Sequence, residues 1–363
     1  MADEKTRRNC LQRKMKLRQW VTVLLLFSCL IPAAAHAQFL IQEIIDSTGD
    51  GGGNPLANSP GIAVDANGNV FVTGLVSDNA FQIALDGTIT EIIDATGDGT
   101  GNTLDQPVAI AIDASGNVSV AGQASHNVFE ITPGGTVTEI IDTTGDGSGQ
   151  NLLTPSGIAV DVAGHVFVTG RLSDNAFEIT PGGAIAEIIE AMGDGSGNVL
   201  SQPVGIITDG VGNVYVAGQA SDNVFRIASG GAVTQIIDGT GDGADKTLED
   251  PFAVAVDSGG NIYVAASTIN NVFKIPPGGN ISEMIDGAGD GLGNTLNNPF
   301  GLAATSDGDV GDVYVTGLFS SNAFKISTVT PVPALGRAGL VLLAAILVGS
   351  LVWLRPGDRV VNA

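Results

Sequence analysis

Between residues 38 and 328 the apolar residues fall in short runs separated by turn-forming residues. In the first stretch the runs are Gly61-Ile-Ala-Val64, Val70-Phe-Val-Thr73, Ala80-Phe-Gln-Ile83 and Thr88-Ile-Thr-Glu-Ile-Ile93. β-Branched and aromatic residues dominate them, and each is too short for a helix. The connection Asp65-Ala-Asn-Gly-Asn69 has the residue types of a tight hairpin loop, as does Pro133-Gly-Gly135 further on. No helical period of useful length appears. Each run is therefore predicted as a β-strand, with antiparallel neighbours joined by turns.

The four-run pattern repeats. Ile-Ile-Asp stands at 44–46, 92–94 and 140–142, and returns as Ile188-Ile-Glu190, Ile236-Ile-Asp238 and Met284-Ile-Asp286, a spacing of 48 residues each time. Gly-Asp-Gly follows in every copy, its Asp at 50, 98, 146, 194, 242 and 290. Four antiparallel strands per unit of this length is the pattern of a β-propeller blade, so the chain is predicted as all-β, a six-bladed β-propeller. The last unit slips by three residues around Gly308–Gly311 and has room for only three strands before Pro331 and Pro333. An orphan fourth strand, Leu40–Ile45, opens the array. The expectation is that this N-terminal strand completes the sixth blade and closes the ring, removing two open edges. Phe81, Phe129, Phe177, Phe225, Phe273 and Phe324 share one position on the third strand, which places them in the packing between blades.

Composition sharpens this picture at the ends. The chain has 363 residues, 51 of them Gly, and a net charge of −23. Residues 38–330 keep 35 of the 38 acids and five of the 15 basic residues, a net of −30. That balance excludes nucleic acid as a partner, since phosphate binding needs clustered Lys and Arg. Residues 1–37 carry seven basic residues, an apolar stretch from Val21 to Ile31 and the ending Ala35-His-Ala37, the pattern of a secretory signal peptide. Leu26-Phe-Ser-Cys29 loosely resembles a lipobox, which leaves a lipidated Cys29 as the alternative. Residues 338–354 hold no charge and are followed by Arg355 and Arg359, so they are expected to form a transmembrane helix with 355–363 as a cytoplasmic tail.

Two family resemblances enter at this point. Pro155-Ser-Gly-Ile-Ala-Val-Asp161, and Gly68-Asn-Val-Phe-Val72 with its copies, resemble the NHL repeat over essentially all of 38–328. That resemblance implies a six-bladed propeller. The Arg usual on the third NHL strand is replaced here by Ala80, Val128, Ala176, Val224, Val272 and Ala323, so contacts attributed to it do not transfer. The linker and motif at 329–337, with Val332-Pro-Ala-Leu-Gly-Arg-Ala-Gly339 ahead of the apolar span, resemble the sorting tails of the PEP-CTERM and IPTL-CTERM groups. They depart from the PEP form at Ala334, where Glu is expected. The resemblance implies export in a Gram-negative bacterium and processing by an exosortase-like enzyme at the cell envelope. A plain C-terminal anchor is the alternative.

Candidate chemistry lies in the loop between one blade's fourth strand and the next blade's first. Asp94-Ala-Thr-Gly-Asp98-Gly spaces hard oxygens like the start of a calcium loop, which makes Ca²⁺ the expected cofactor. The candidate ligands are Asp46, Asp50, Asp94, Asp98, Asp142, Asp146, Glu190, Asp194, Asp238, Asp242, Asp286 and Asp290. An EF-hand is excluded, because its twelfth position varies among Ala57, Asp105, Leu153, Ser201, Glu249 and Asn297. The other reading of these residues is that Gly and Asp build tight turns and keep the face soluble. Arg171 and His126 break the repeat symmetry on the same face, and with Asp174, which lies beside Arg171, they are candidates for ligand binding. Catalysis finds little support: residues 38–330 hold only His126 and His165, placed on opposite faces, with no Cys, no Gly-x-Ser-x-Gly elbow and no zinc spacing. The expected function is a binding or scaffold module of the envelope whose partner is an envelope protein or surface polysaccharide. A propeller-type lactonase or lyase and a purely structural surface or biofilm-matrix protein stand as alternatives.

Overall fold

The structure is a computed structural model that describes residues 42–305 and 312–327. The signal peptide, the linker, the apolar span and the cytoplasmic tail predicted above lie outside the described residues, apart from the start of the first repeat. Contacts divide the chain into Met1–Ile44 and Ile45–Ala363, and every strand among the described residues belongs to the second unit. No helix long and apolar enough to cross a membrane is found among the described residues.

The fold is a six-bladed β-propeller, as the repeat predicts. Blade 1 consists of Ile62–Val64, Val70–Gly74, Asn79–Ile83 and Ile89–Ile93, paired in that order and antiparallel throughout. Blade 2 runs Pro107–Ile112, Val118–Gly122, Asn127–Ile131, Val137–Ile141; blade 3 Pro155–Val160, Val166–Gly170, Asn175–Ile179, Ile185–Ile189. Blade 4 runs Pro203–Thr208, Val214–Gly218, Asn223–Ile227, Val233–Ile237; blade 5 Pro251–Val256, Ile262–Ala266, Asn271–Ile275, Ser282–Ile285. Blade 6 holds three strands, Pro299–Ala304, Asp312–Gly317 and Asn322–Ser327.

The sheets of blades 2 to 5 are apolar on both faces and are buried from both sides by their neighbours. Between blades 1 and 2, Phe71, Ala80 and Ile93 of one sheet pack against Ile110, Val118, Val120, Phe129 and Ile131 of the next. The third-strand Phe81, Phe129, Phe177, Phe225 and Phe273 are fully buried, which is the role expected for them. The second strands of blades 2 to 5 are buried along their whole length rather than on alternate residues.

The seam between blades 6 and 1 is packed differently. In blade 6 the second and third strands alternate buried and more exposed residues, because one face has no sheet against it. Ile62 of blade 1 is 67% exposed whereas its equivalent Ile110 is 8% exposed, and Tyr314 of blade 6 is 41% exposed whereas Tyr263 is 1% exposed. Of the expected fourth strand Leu40–Ile45, the described part, residues 42–45, is not in a strand. Ile45 nonetheless packs with Leu56 beside Val72, Phe81 and Ile83 of blade 1. Ile93 does the same for blade 2 from its place on a fourth strand. The apolar side chain thus finds its cover on blade 1 without the backbone ladder.

The Gly-Asp-Gly loop explains one invariant of the repeat. Gly97 has φ of +63°, and a Cβ there would lie 1.9 Å from the carbonyl oxygen of Asn102. Its counterparts Gly49, Gly145, Gly193, Gly241 and Gly289 face the same obstruction at 1.8–1.9 Å. Only a residue without Cβ lets the loop fold back on itself. Replacing Gly97 by Ala is expected to lower stability by about 1–3 kcal/mol, the range for a side chain forced into this region, read as a fall in denaturation midpoint at unchanged slope. Replacing Gly99, which has open space around its missing Cβ, is expected to cost less.

Candidate functional site

The loops between fourth and first strands meet the turns between second and third strands on one face, as the topology predicts. A buried asparagine ties them together. In blade 2, Asn127 Nδ2 donates to the carbonyl of Thr103 at 3.1 Å and to Glu139 Oε1 at 2.7 Å. Ser125 Oγ donates to Asn127 Oδ1 at 2.7 Å and accepts from the Asp105 backbone N–H at 3.1 Å. The same set forms around Asn79 with Glu91, Asn175 with Glu187, and Asn223 with Gln235. Burying these amides is favourable only because every polar atom is paired.

Blade 5 departs from the set in a coupled way. Ile269 stands where the other blades have Ser77, Ser125, Ser173, Ser221 and Ser320, and Asn271 Oδ1 is left buried without a partner. Ala266 stands where the others have Gly, and a Cβ on Gly218 would lie 2.3 Å from Ser221 Oγ. With the serine gone, the alanine fits.

A second device joins successive blades. The residues at 78, 126, 174, 222 and 270 sit at φ between +51° and +61°, a conformation tolerated by Asp, Asn and His better than by most residues. Each points an acceptor at the next blade. Asp78 Oδ1 accepts the N–H of Gln106 at 2.9 Å, Asp174 Oδ1 that of Gln202 at 2.7 Å and Asp222 Oδ1 that of Asp250 at 2.8 Å. His126 does the same for Thr154 at 2.8 Å through Nδ1, which puts its ring proton on Nε2, and Asn270 Oδ1 does so for Asn298 at 2.6 Å. The receiving residues also have positive φ, and each begins the approach to a first strand. At the corresponding place in blade 6 stands Ser321, whose side chain is shorter.

Eleven of the twelve loop acids accept hydrogen bonds within their own loops. Asp94 Oδ1 accepts from the N–H and hydroxyl of Thr96, and Asp98 from those of Thr100 and from Asn102 Nδ2. Asp46, Asp142 and Asp238 hold Thr48, Thr144 and Thr240 likewise, and Asp286 the N–H of Ala288. Asp50, Asp146, Asp194, Asp242 and Asp290 each accept the N–H two residues on. Glu190 is the one member with a longer side chain and is exposed. The Thr100 N–H leads the bonds that hold the Asp98 carboxyl below its ordinary value. No group of three or more His, Cys, Asp and Glu side chains able to hold a metal ion is found among the described residues.

Arg171, Asp174 and His126 are brought into one chain of contacts. Arg171 donates from Nη2 to Gln219 Oε1 at 3.0 Å and to Gln202 Oε1 at 3.3 Å, reaching across to blade 4. Its backbone N–H bonds to Thr154, the residue held by His126, while Gln202 is the residue held by Asp174. Arg171 Nε is buried with no partner. The guanidinium takes two amide carbonyls, and Asp174 Oδ1 accepts the Gln202 N–H. Gln202 was missed by sequence reasoning. His165 lies apart, with Nδ1 2.7 Å from Glu178 Oε1.

Two measurements test these networks. In a double-mutant cycle, Ile269→Ser alone is expected to gain little, since Ala266 obstructs it. Ala266→Gly with Ile269→Ser gives Asn271 its missing donor and couples favourably by about 1 kcal/mol. The second concerns Glu91, Glu139 and Glu187, whose carboxyls are raised chiefly by burial, against the opposing Asn hydrogen bond and with help from nearby acids. A carboxyl raised on folding favours the fold while protonated, below its ordinary 4.5, and that contribution is lost as pH rises through the folded value. The triple Glu→Gln variant, copying Gln235, is expected to melt higher than the wild type at pH 7. The gap should close on acidification below about pH 4.

No family model matches the sequence, and no curated protein matches it. Solved structures do. A streptogramin B lyase superposes with a TM-score of 0.57 at 15% identity, covering 75% of this chain and 83% of that one. A putative gluconolactonase gives 0.51 at 14%, covering 79% and 91%. A gluconolactonase from Xanthomonas campestris gives 0.51 at 16%, covering 76% and 87%. At these identities the likeness is one of fold, and it agrees with the sheets themselves: this chain is built as a β-propeller of the type seen in those lyases and lactonases.

Proposed function

We propose that this chain is an exported NHL-type propeller of a Gram-negative cell envelope, acting as a binding or scaffold module. The observation that carries this reading is how the polar side chains of the loop face are used. In repeat after repeat they fasten turn to loop and blade to blade. Such a face is a rigid platform. Its symmetry is broken where Arg171 meets Gln202 and Gln219, and this is where a partner would be distinguished from solvent, with Asp174 and His126 as positioning neighbours. An anionic group of a surface polysaccharide or of an envelope protein suits the guanidinium. The sorting tail would deliver the platform to the envelope and leave it there transiently or permanently.

Ca²⁺ remains part of the proposal as a ligand of the acidic loops, in a geometry other than an EF-hand. Its support is the density of carboxylates on one face. A carboxylate oxygen that already holds a loop N–H keeps a lone pair for a cation.

A second reading has a specific observation behind it: the lyases and lactonases among the structural neighbours. It would require a reacting group on the loop face. His126 is poorly placed for general base work through Nδ1, which is occupied, and only Nε2 is available for proton transfer.

The readings separate in one set of assays on the full chain. Binding to acidic polysaccharide from a Gram-negative biofilm, measured by sedimentation, is expected to weaken roughly tenfold in Arg171→Gln without loss of fold. Unaltered binding would remove Arg171 from the proposal. Gluconolactone hydrolysis with added divalent cations is expected to stay at the uncatalysed rate; saturable turnover would replace the binding reading with the enzymatic one. A melting midpoint that is equal with EDTA and with Ca²⁺ would remove the metal.

A further inference from the structure

On the opposite face, one cleft lies between blades 1 and 2 and another between blades 4 and 5. The third-strand residue lining these clefts is Gln82 in blade 1 and Arg226 in blade 4, and the same register position holds Glu130 in blade 2, Glu178 in blade 3 and Lys274 in blade 5. Its partner across the ladder is Phe71, Ser119, Phe167, Tyr215 or Tyr263. One backbone frame therefore carries a series of different chemistries. In blade 3 the position is filled by the Glu178–His165 pair at 2.7 Å. In blade 5 Lys274 lies 5.7 Å from the centre of the Tyr263 ring.

The cleft between blades 4 and 5 differs. It encloses about 580 Å³. One wall is polar and built: Asp209 Oδ2 accepts from Asn213 Nδ2 at 2.6 Å and from the Tyr215 hydroxyl at 3.1 Å. Asn213 Oδ1 in turn accepts from Arg226 Nη2 at 2.8 Å. The guanidinium is thereby held in place by a neutral amide, and among the described residues it forms no ion pair with a carboxylate. The opposite wall is apolar, made by Ile236, Ile262 and Ile281 with Pro277. The corresponding cleft between blades 1 and 2, of about 490 Å³, has Gln82 and Phe71 in these places and no cation.

We propose that the cleft between blades 4 and 5 binds a small amphiphilic carboxylate, its head on Arg226 beside the Tyr215 hydroxyl and its hydrocarbon along Ile236, Ile262 and Ile281. The chemistry follows from the walls. A fixed guanidinium with unused N–H groups takes a carboxylate oxygen, and in a half-buried site that bond is stronger than between neutral groups. The isoleucines are already packed, so an apolar chain laid on them is removed from water with little ordering of the protein. A ligand with a second negative charge is disfavoured, since Asp209 closes the polar end. This site is separate from the Arg171 platform, and neither depends on the other.

The test is calorimetric titration of the full chain with octanoate and with octanamide, which has the same chain and no charge. Saturable binding of octanoate at one equivalent, at least tenfold tighter than octanamide, is expected. Arg226→Gln should weaken octanoate by about tenfold and leave octanamide unchanged. Ile281→Asp should weaken both. Lys274→Gln, at the same register position in blade 5, and Arg171→Gln, on the opposite face, should alter neither. Circular dichroism melts confirm that each variant is folded. Equal affinity for acid and amide, octanoate binding indifferent to Arg226, or no saturable heat with a folded protein would each overturn the proposal.

Discussion

A sheet that is apolar on both faces cannot stand in water by itself, and this constraint organises the molecule. Phe129 at the middle of blade 2 is buried by blade 1 from one side only because Ile93 and Leu104 reach it. Blade 2 then supplies Ala121, Val128 and Ile141 as the cover for Phe177 of blade 3. Each sheet is thus both a core and a lid. The same constraint accounts for the seam. Where a sheet lacks its neighbour, the pattern falls back to simple alternation, and Ile62, Val64 and Tyr314 are left in contact with water.

The polar network refines what the packing begins. Hydrophobic contact between twisted sheets does not by itself fix how far one blade slides on the next. The acceptors at 78, 126, 174, 222 and 270 do, because a hydrogen bond tolerates little displacement. They also hold the receiving residue at a positive φ that Gln and Thr do not favour alone. The loop face is rigid for the same reason that it is polar.

Much of this was legible in the sequence. The repeat of 48 residues gave the blade count, the strands and the placement of the aromatic residues, since those follow from period and residue type. The pairing of Asp174 or His126 with the next blade was not legible, because its partner is a backbone N–H, which no residue letter marks. Asp94 and Asp98 could be read as metal ligands or as turn builders. Their hydrogen bonds run two to four residues along the chain, a distance at which both readings use the same residues. The Arg171–Gln219 contact had a signal, since the two stand one repeat apart in the same column. Arg226 had one too: the column of Gln82, Glu130, Glu178, Arg226 and Lys274 changes charge while its surroundings stay constant. An outward-looking position on a strand draws no notice when strands are sought for their apolar residues.

The direction of the inter-blade fastening has a consequence for how such a chain evolves. Blades 1 to 5 each offer an acceptor to the successor, blades 2 to 6 each receive one, and no bond of this kind among the described residues skips a blade. A whole unit can therefore be gained or lost by recombination between near-identical stretches of gene, and the junction formed is chemically the same as those it replaces. The cleft column can then drift freely within each copy. Duplication supplies the frame, and point mutation at one outward position writes a new guest preference into it.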